Sequence, residues 1–385
     1  MSQFSFWWWR YTRAMALASV LLALVTMPAR AVVSAPYHMA SRHTQATPQQ
    51  STDYLYVNDG ATTNGITGFV ISGTSLTMIP GSPFPTGGEG DRGSQQSNQI
   101  AISPNDQCVF ATDTVSNTVD SFAIGAGGAL TEISQLTISQ SNPLDVKVAP
   151  DGSAIFVAAG DTAPSYIDTF SVSSSCALTA GNSYKNIGNI LSMAVAPTTP
   201  PVLYALDTFD GLEFTYTISG DTLTLESRSL TFDATPGGAA VAMVGSKPYF
   251  LTGEVNGQVA VADAYAVQAK GTITPIAGSP AADLAGVDSE SILYDAVNKQ
   301  AILAEQFSNS LGFFGERKGQ FVLLGHIPIP AGNFPAAMAQ VGSELYVANL
   351  FGGTISVCTL TLGSATCQTP TALPPGSHPT GVAGF

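Results

Sequence analysis

Apolar and polar residues alternate in short runs along most of the chain, and the runs come in sets of four. Residues 98–139 hold one complete set. Gln99-Ile100-Ala101-Ile102 reads as a short strand ended by the turn Ser103-Pro104-Asn105-Asp106. Cys108-Val109-Phe110-Ala111-Thr112 is a second strand, and residues 118–124 alternate polar with apolar, as a half-buried strand does. The turn Gly125-Ala126-Gly127-Gly128 leads to a fourth strand over residues 130–136. That glycine run joins two strands and has no phosphate-loop context.

The set then repeats. Pro104, Pro150 and Pro197 close equivalent first strands 46 and 47 residues apart. Second strands carry an aromatic at one position, Phe110, Phe156, Tyr204, Phe250 and Tyr346, with Leu303 in the remaining repeat. Complete sets begin near Asn98, Pro143, Asn189, Gly238, Asp288 and Pro335, and a seventh is split between the chain ends. Tyr54-Leu55-Tyr56-Val57 looks like a second strand with no first strand before it; residues 379–384 look like a first strand with nothing after it. A four-stranded period in the forties is the mark of a β-propeller. Joining the two ends predicts an all-β, seven-bladed ring of four-stranded antiparallel blades, closed by the C-terminal strand, with no open sheet edge between its ends.

Composition agrees with this reading and narrows the partners. The chain has 385 residues with 38 Gly and 24 Pro, but only 10% charged residues, which suits many strands and tight turns. A net charge of −14 with 13 Lys plus Arg leaves no basic face for nucleic acid or anionic lipid. Arg10 and Arg13, the apolar run over 14–27 and the small-x-small site Ala29-Arg30-Ala31 read as a signal peptide over 1–31, with an uncleaved anchor as the rival. Residues 32–52 read as a flexible leader, 53–385 as the propeller, and the protein as a periplasmic or secreted monomer. Four cysteines suit that oxidising setting. Cys358 and Cys367 flank a hairpin turn and so face one another. Cys108 and Cys176 fall on one side of neighbouring blades, where they form either a second bridge or two buried thiols.

Residues 76–87, Leu-Thr-Met-Ile-Pro-Gly-Ser-Pro-Phe-Pro-Thr-Gly, and residues 273–280, Ile-Thr-Pro-Ile-Ala-Gly-Ser-Pro, resemble the outer strand and exit loop of the lactonase family of seven-bladed propellers. That group includes bacterial 6-phosphogluconolactonase. Leu345-Tyr346-Val347-Ala348-Asn349 with residues 353–357 resembles the related YVTN-repeat propellers. The likeness spans 53–385 and implies hydrolysis of a sugar lactone or another cyclic ester in the central funnel. Enzymatic members of the family carry a Pro-His pair leading into an inner strand. Here those places hold Ser97-Asn98, Pro143-Leu144 and Ile190-Leu191. His38 and His43 precede the fold, His326 falls in an outer strand, and His378, before Pro379, lies on a loop into the funnel.

Candidate chemistry centres on the residues ending each second strand: Asp59, Asp113, Asp161, Asp207, Glu254, Glu305 and Asn349. A ring of carboxylates could hold a divalent cation, with Asp59 and Asp113 as ligands, or could activate water with His378. Equally, Asp and Asn end strands because they bond turn backbone. Arg92 could clamp an anionic group or pair with Glu89 and Asp91 in its own loop; Asn98 and Asn349 offer further contacts to substrate. Asp283, Asp288 and Glu290 read as a solvated acidic loop. No other nucleotide, zinc-protease or serine-hydrolase motif is present. Two functions follow: a lactonase-like hydrolase, or a non-catalytic extracytoplasmic propeller that binds a protein or carbohydrate.

Overall fold

The computed structural model describes residues 52–90, 98–160, 163–186, 188–230, 235–289, 291–330 and 332–385. Residues 53–385 form the propeller. The expected signal peptide and most of the leader lie outside the described residues.

Seven antiparallel sheets make seven blades, each a meander from an inner to an outer strand. Blade 1 is the split one. Its inner strand is Gly381–Gly384, which pairs with Tyr54–Asn58 so that Val57 faces Val382 and Leu55 faces Gly384. Tyr54 N–H donates to the Phe385 carbonyl at 3.0 Å, and Phe385 N–H returns a bond at 3.1 Å. The ring therefore closes as the sequence pattern requires. Blades 2 to 7 start from the inner strands Ile100–Ile102, Pro143–Val148, Ile190–Ala196, Thr235–Val244, Ser291–Asp295 and Pro335–Val341.

Packing follows from the repeated second-strand aromatic. Tyr56, Phe110, Phe156, Tyr204, Phe250, Leu303 and Tyr346 are all fully buried between blades, each worth about 1.5–3 kcal/mol on burial. Two of the tyrosines also bond across to the following blade: Tyr56 donates to the Gly128 carbonyl and Tyr204 to the Gly271 carbonyl, both at 2.8 Å. Gly128 and Gly271 end equivalent tight turns with φ of 79° and 84°. A side chain there would meet Tyr54 or Val202 at 2.5–2.6 Å, so glycine is needed for both conformation and space.

Side chains also latch neighbouring inner strands together. Asn98 Oδ1 accepts Val382 N–H at 3.1 Å, Asp145 Oδ2 accepts Met193 N–H at 2.7 Å, and Ser192 Oγ accepts Ala239 N–H at 3.0 Å. The Gly-Ser-Pro exit loops have a matching explanation. Where the outer strand of blades 1 and 5 is interrupted, Ser82 Oγ accepts Gly68 N–H at 2.8 Å and Ser279 Oγ accepts Ala264 N–H at 2.9 Å. The chain then returns to the third strand as the short strands Phe84–Pro85 and Ala281–Asp283. Both disulfides are formed: Cys108–Cys176 ties blade 2 to blade 3, and Cys358–Cys367 closes a hairpin in blade 7.

Candidate functional site

The residues ending the second strands lie on the face where the chain enters each blade, but their side chains turn inward. Asp59, Asp113, Asp207, Glu254, Glu305 and Asn349 are at most 3% exposed. Asp161 and Arg92 lie outside the described residues. Asp113 accepts Asn64 Nδ2 at 2.6 Å and Thr86 Oγ1 at 2.9 Å. Asp207 Oδ1 accepts the N–H groups of Asn189, Phe209 and Asp210 at 3.0–3.2 Å. Glu254 accepts Thr252 Oγ1 at 2.8 Å, and Asn349 donates to Thr354 Oγ1 at 3.0 Å and Ser356 Oγ at 2.9 Å. Asn98, half-buried, is occupied in the Val382 latch.

The loop leading into the same blade presses a glycine onto several of these groups. A Cβ at Gly88 would come within 2.0 Å of Asp113 Oδ2, and one at Gly286 within 2.2 Å of Glu305 Oε1. Gly188 stands in the same relation to Asp207. The carboxylates thus brace turns and lead-in loops, as short polar side chains at strand ends do. The expected acidic loop of blade 5 is also not solvated. Asp283 is 1% and Asp288 3% exposed, because the short fifth strand draws Asp283 under the next blade; Glu290 lies outside the described residues.

Two places on this face combine a buried carboxylate with histidine. The first is the ring closure. Asp59 accepts Thr67 Oγ1 at 2.8 Å and a bond from Ser377, and burial pushes its pKa up to about 7. His378 N–H donates to the Asp59 carbonyl at 2.7 Å. The His378 imidazole is half-buried, and its Nδ1 has no hydrogen-bond partner among the described residues.

The second lies between blades 5 and 6 and went unrecognised in the sequence. His326 Nδ1 sits 2.8 Å from Asp283 Oδ2 and 3.2 Å from Glu305 Oε2. Burial, aided by the neighbouring Asp283, raises the pKa of Glu305 to about 8. Among the described residues this is the one group of three or more His, Cys, Asp or Glu side chains whose ligating atoms all lie within 4.8 Å of one another. Asp59 and Asp113, expected as cation ligands, belong to no such group among the described residues. The signal that could have found the site is Asp283, three residues after the second Gly-Ser-Pro loop, in a chain with four histidines.

Comparison with known proteins places the fold. Residues 23–194 match the family model described as Lactonase, 7-bladed beta-propeller. The periplasmic gluconolactonase of Pseudomonas aeruginosa superposes with a TM-score of 0.69 at 16% identity, covering 87% of this chain and 99% of that one. A candidate 6-phosphogluconolactonase of Bacteroides fragilis gives 0.70 at 14% identity, covering 89% and 100%. The virginiamycin B lyase of Staphylococcus aureus shares the fold more distantly, at 0.50 and 14% identity over 71% and 84%, so likeness of fold alone does not fix a reaction. No curated protein matches the chain in sequence. By the family model over residues 23–194 and by fold around the whole ring, the protein is a seven-bladed β-propeller resembling the lactonase family.

Proposed function

We propose that this protein is an exported, lactonase-like hydrolase that opens a neutral sugar lactone or related cyclic ester on the blade-entrance face. The match to the lactonase family model on a closed seven-bladed ring carries the reading. Two disulfides fit an oxidising compartment. The chemistry asked of the site is modest. A base removes a proton from water as its oxygen bonds to the lactone carbonyl carbon. The ring C–O bond then breaks, and the leaving alkoxide takes a proton. His378 is assigned the first task because it lies on the loop into the blade-entrance face beside Asp59 and its ring is only half-buried. Its Nδ1 is sealed from solvent and makes no hydrogen bond among the described residues, so the open part of the ring is the part that meets water. Arg92, from the lead-in loop of blade 2, is the proposed contact to substrate oxygens; Asn98 in the same loop is held in the Val382 latch. A phosphorylated sugar is a poor fit, since the entrance offers few cations to hold phosphate.

One observation favours a second reading, a non-catalytic propeller that binds a carbohydrate or protein outside the cytoplasm. The described strand-end carboxylates are buried and braced against their own loops rather than open to substrate. A panel of neutral sugar lactones, with and without EDTA, separates the two. Hydrolysis above the spontaneous rate, lost in His378→Ala but kept in folded Asp113→Asn, supports catalysis. A panel with no excess hydrolysis ends it and leaves the binding reading.

A further inference from the structure

We infer that the cleft between blades 5 and 6 is a divalent-cation site, with Asp283, Glu305 and His326 as its ligands. It stands apart from the His378 corner and goes beyond the hydrolase reading. Each ligand comes from a different element. Asp283 ends the short fifth strand of blade 5, Glu305 ends the second strand of blade 6, and His326 lies on the outer strand Gln320–Pro328. Their convergence is a product of the fold.

The supporting bonds are arranged as around a metal centre. Asp283 Oδ1 is committed to the N–H groups of Ala285 and Gly286 at 2.9 and 3.3 Å, which turns Oδ2 toward the imidazole. Ser310 Oγ donates to Glu305 Oε2 at 2.7 Å. Glu305 Oε1 is buried with no partner among the described residues, on a side chain that is 0% exposed. It faces Gly286 and Gly312, where any Cβ would approach it to 2.2 and 2.6 Å. Those glycines wall off Oε1, which leaves Oε2 as the oxygen turned toward His326.

Geometry and charge agree. Nδ1 lies 2.8 and 3.2 Å from the two carboxylate oxygens. Ligands around a tetrahedral zinc, at bonds of about 2.0–2.2 Å, stand about 3.4 Å apart, so the imidazole needs to part from the two oxygens by about 0.6 and about 0.2 Å. A divalent ion supplies one positive charge for each of the two carboxylates. Asp283 and Glu305 are sealed, but His326 is 25% exposed, giving the ion a way in. One nitrogen and two oxygen donors suit Zn²⁺ or Mn²⁺ better than Ca²⁺, which takes six to eight oxygens.

The test is titration of the metal-stripped protein with Zn²⁺ and with Mn²⁺ by calorimetry, with metal content read by mass spectrometry. His38 and His43 are replaced by alanine throughout so that they cannot contribute. One ion per chain is expected, with affinity falling at least tenfold in Glu305→Gln and in His326→Ala, and unchanged in His378→Ala. Circular dichroism reports folding of each variant; if Glu305→Gln does not fold, the partly exposed His326 carries the test through His326→Gln. Absence of stoichiometric binding, or binding that survives loss of His326, overturns the assignment. No substrate is involved, so the result stands whether or not a lactone is hydrolysed.

Discussion

Replacing Cys108 and Cys176 together by alanine should cost the propeller more than any other paired change of similar size. The bridge spans 68 residues and joins blade 2 to blade 3. Cutting it frees the unfolded chain from a closed loop of that length, which the chain-entropy relation puts at about 4.4 kcal/mol at 25 °C. The Cys358–Cys367 bridge spans 9 residues within one hairpin, and the same relation gives about 2.6 kcal/mol. Over the propeller, Asp53–Phe385, an unfolding entropy of about 2 cal/mol/K per residue turns these into Tm losses of about 6 and 4 °C. Scanning calorimetry on Cys108→Ala/Cys176→Ala, Cys358→Ala/Cys367→Ala and the parent, without reductant, reads all three. Equal losses for the two pairs, or a larger loss for the hairpin pair, would refute the reasoning, because loop length would then not govern the effect.

Three further outcomes follow from the packing and the buried charges. Asp59 has a folded pKa of about 7 against an ordinary 3.8. The native state therefore holds this proton more tightly, and the associated stability is fully present below about pH 4 and lost as pH rises through 7, with a ceiling on the order of 4 kcal/mol. Urea midpoints from pH 4 to pH 8 should fall in the parent and fall less steeply in Asp59→Asn, where Glu305 and Asp120, raised to about 8 and about 9, still contribute; parallel slopes would rule out Asp59 as a source. Tyr204→Phe leaves the buried Gly271 carbonyl without its 2.8 Å donor and should cost about 1–3 kcal/mol in denaturant titrations. Gly286→Ala places a methyl against Glu305, should cost about 1–3 kcal/mol by overpacking, and should weaken Zn²⁺ binding as well; unchanged stability would mean that the loop does not press on the carboxylate.

The ring was legible because each of its parts leaves a local mark. Strand-ending prolines at Pro104, Pro150 and Pro197, the buried second-strand aromatics and the split set at the chain ends all report positions within one blade. The hairpin cysteines were equally local. The cation cleft was not legible, because Asp283, Glu305 and His326 meet only when blade 5 lies against blade 6. Register adds a second obstacle. The outer strand of blade 6 shifts between Phe313 and Phe314, pairing Gly312 with His326 and Phe314 with Leu323. Such a bulge re-aims the side chains beyond it, so simple alternation along residues 320–328 does not reveal where the imidazole points. Burial of the strand-end carboxylates was hidden for a related reason. An Asp at a strand end reads the same whether it faces solvent or a glycine of the lead-in loop, and only the path of that loop decides.

Every site described depends on the two chain ends building one blade, and amide hydrogen exchange tests that most directly. Tyr54 and Phe385 exchange both backbone hydrogen bonds, at 3.0 and 3.1 Å, so their amides should exchange as slowly as those of Phe110 and Phe156 in complete blades, through global unfolding alone. Rapid exchange at both Tyr54 and Phe385, with Phe110 and Phe156 still protected, would show an open ring and contradict the account.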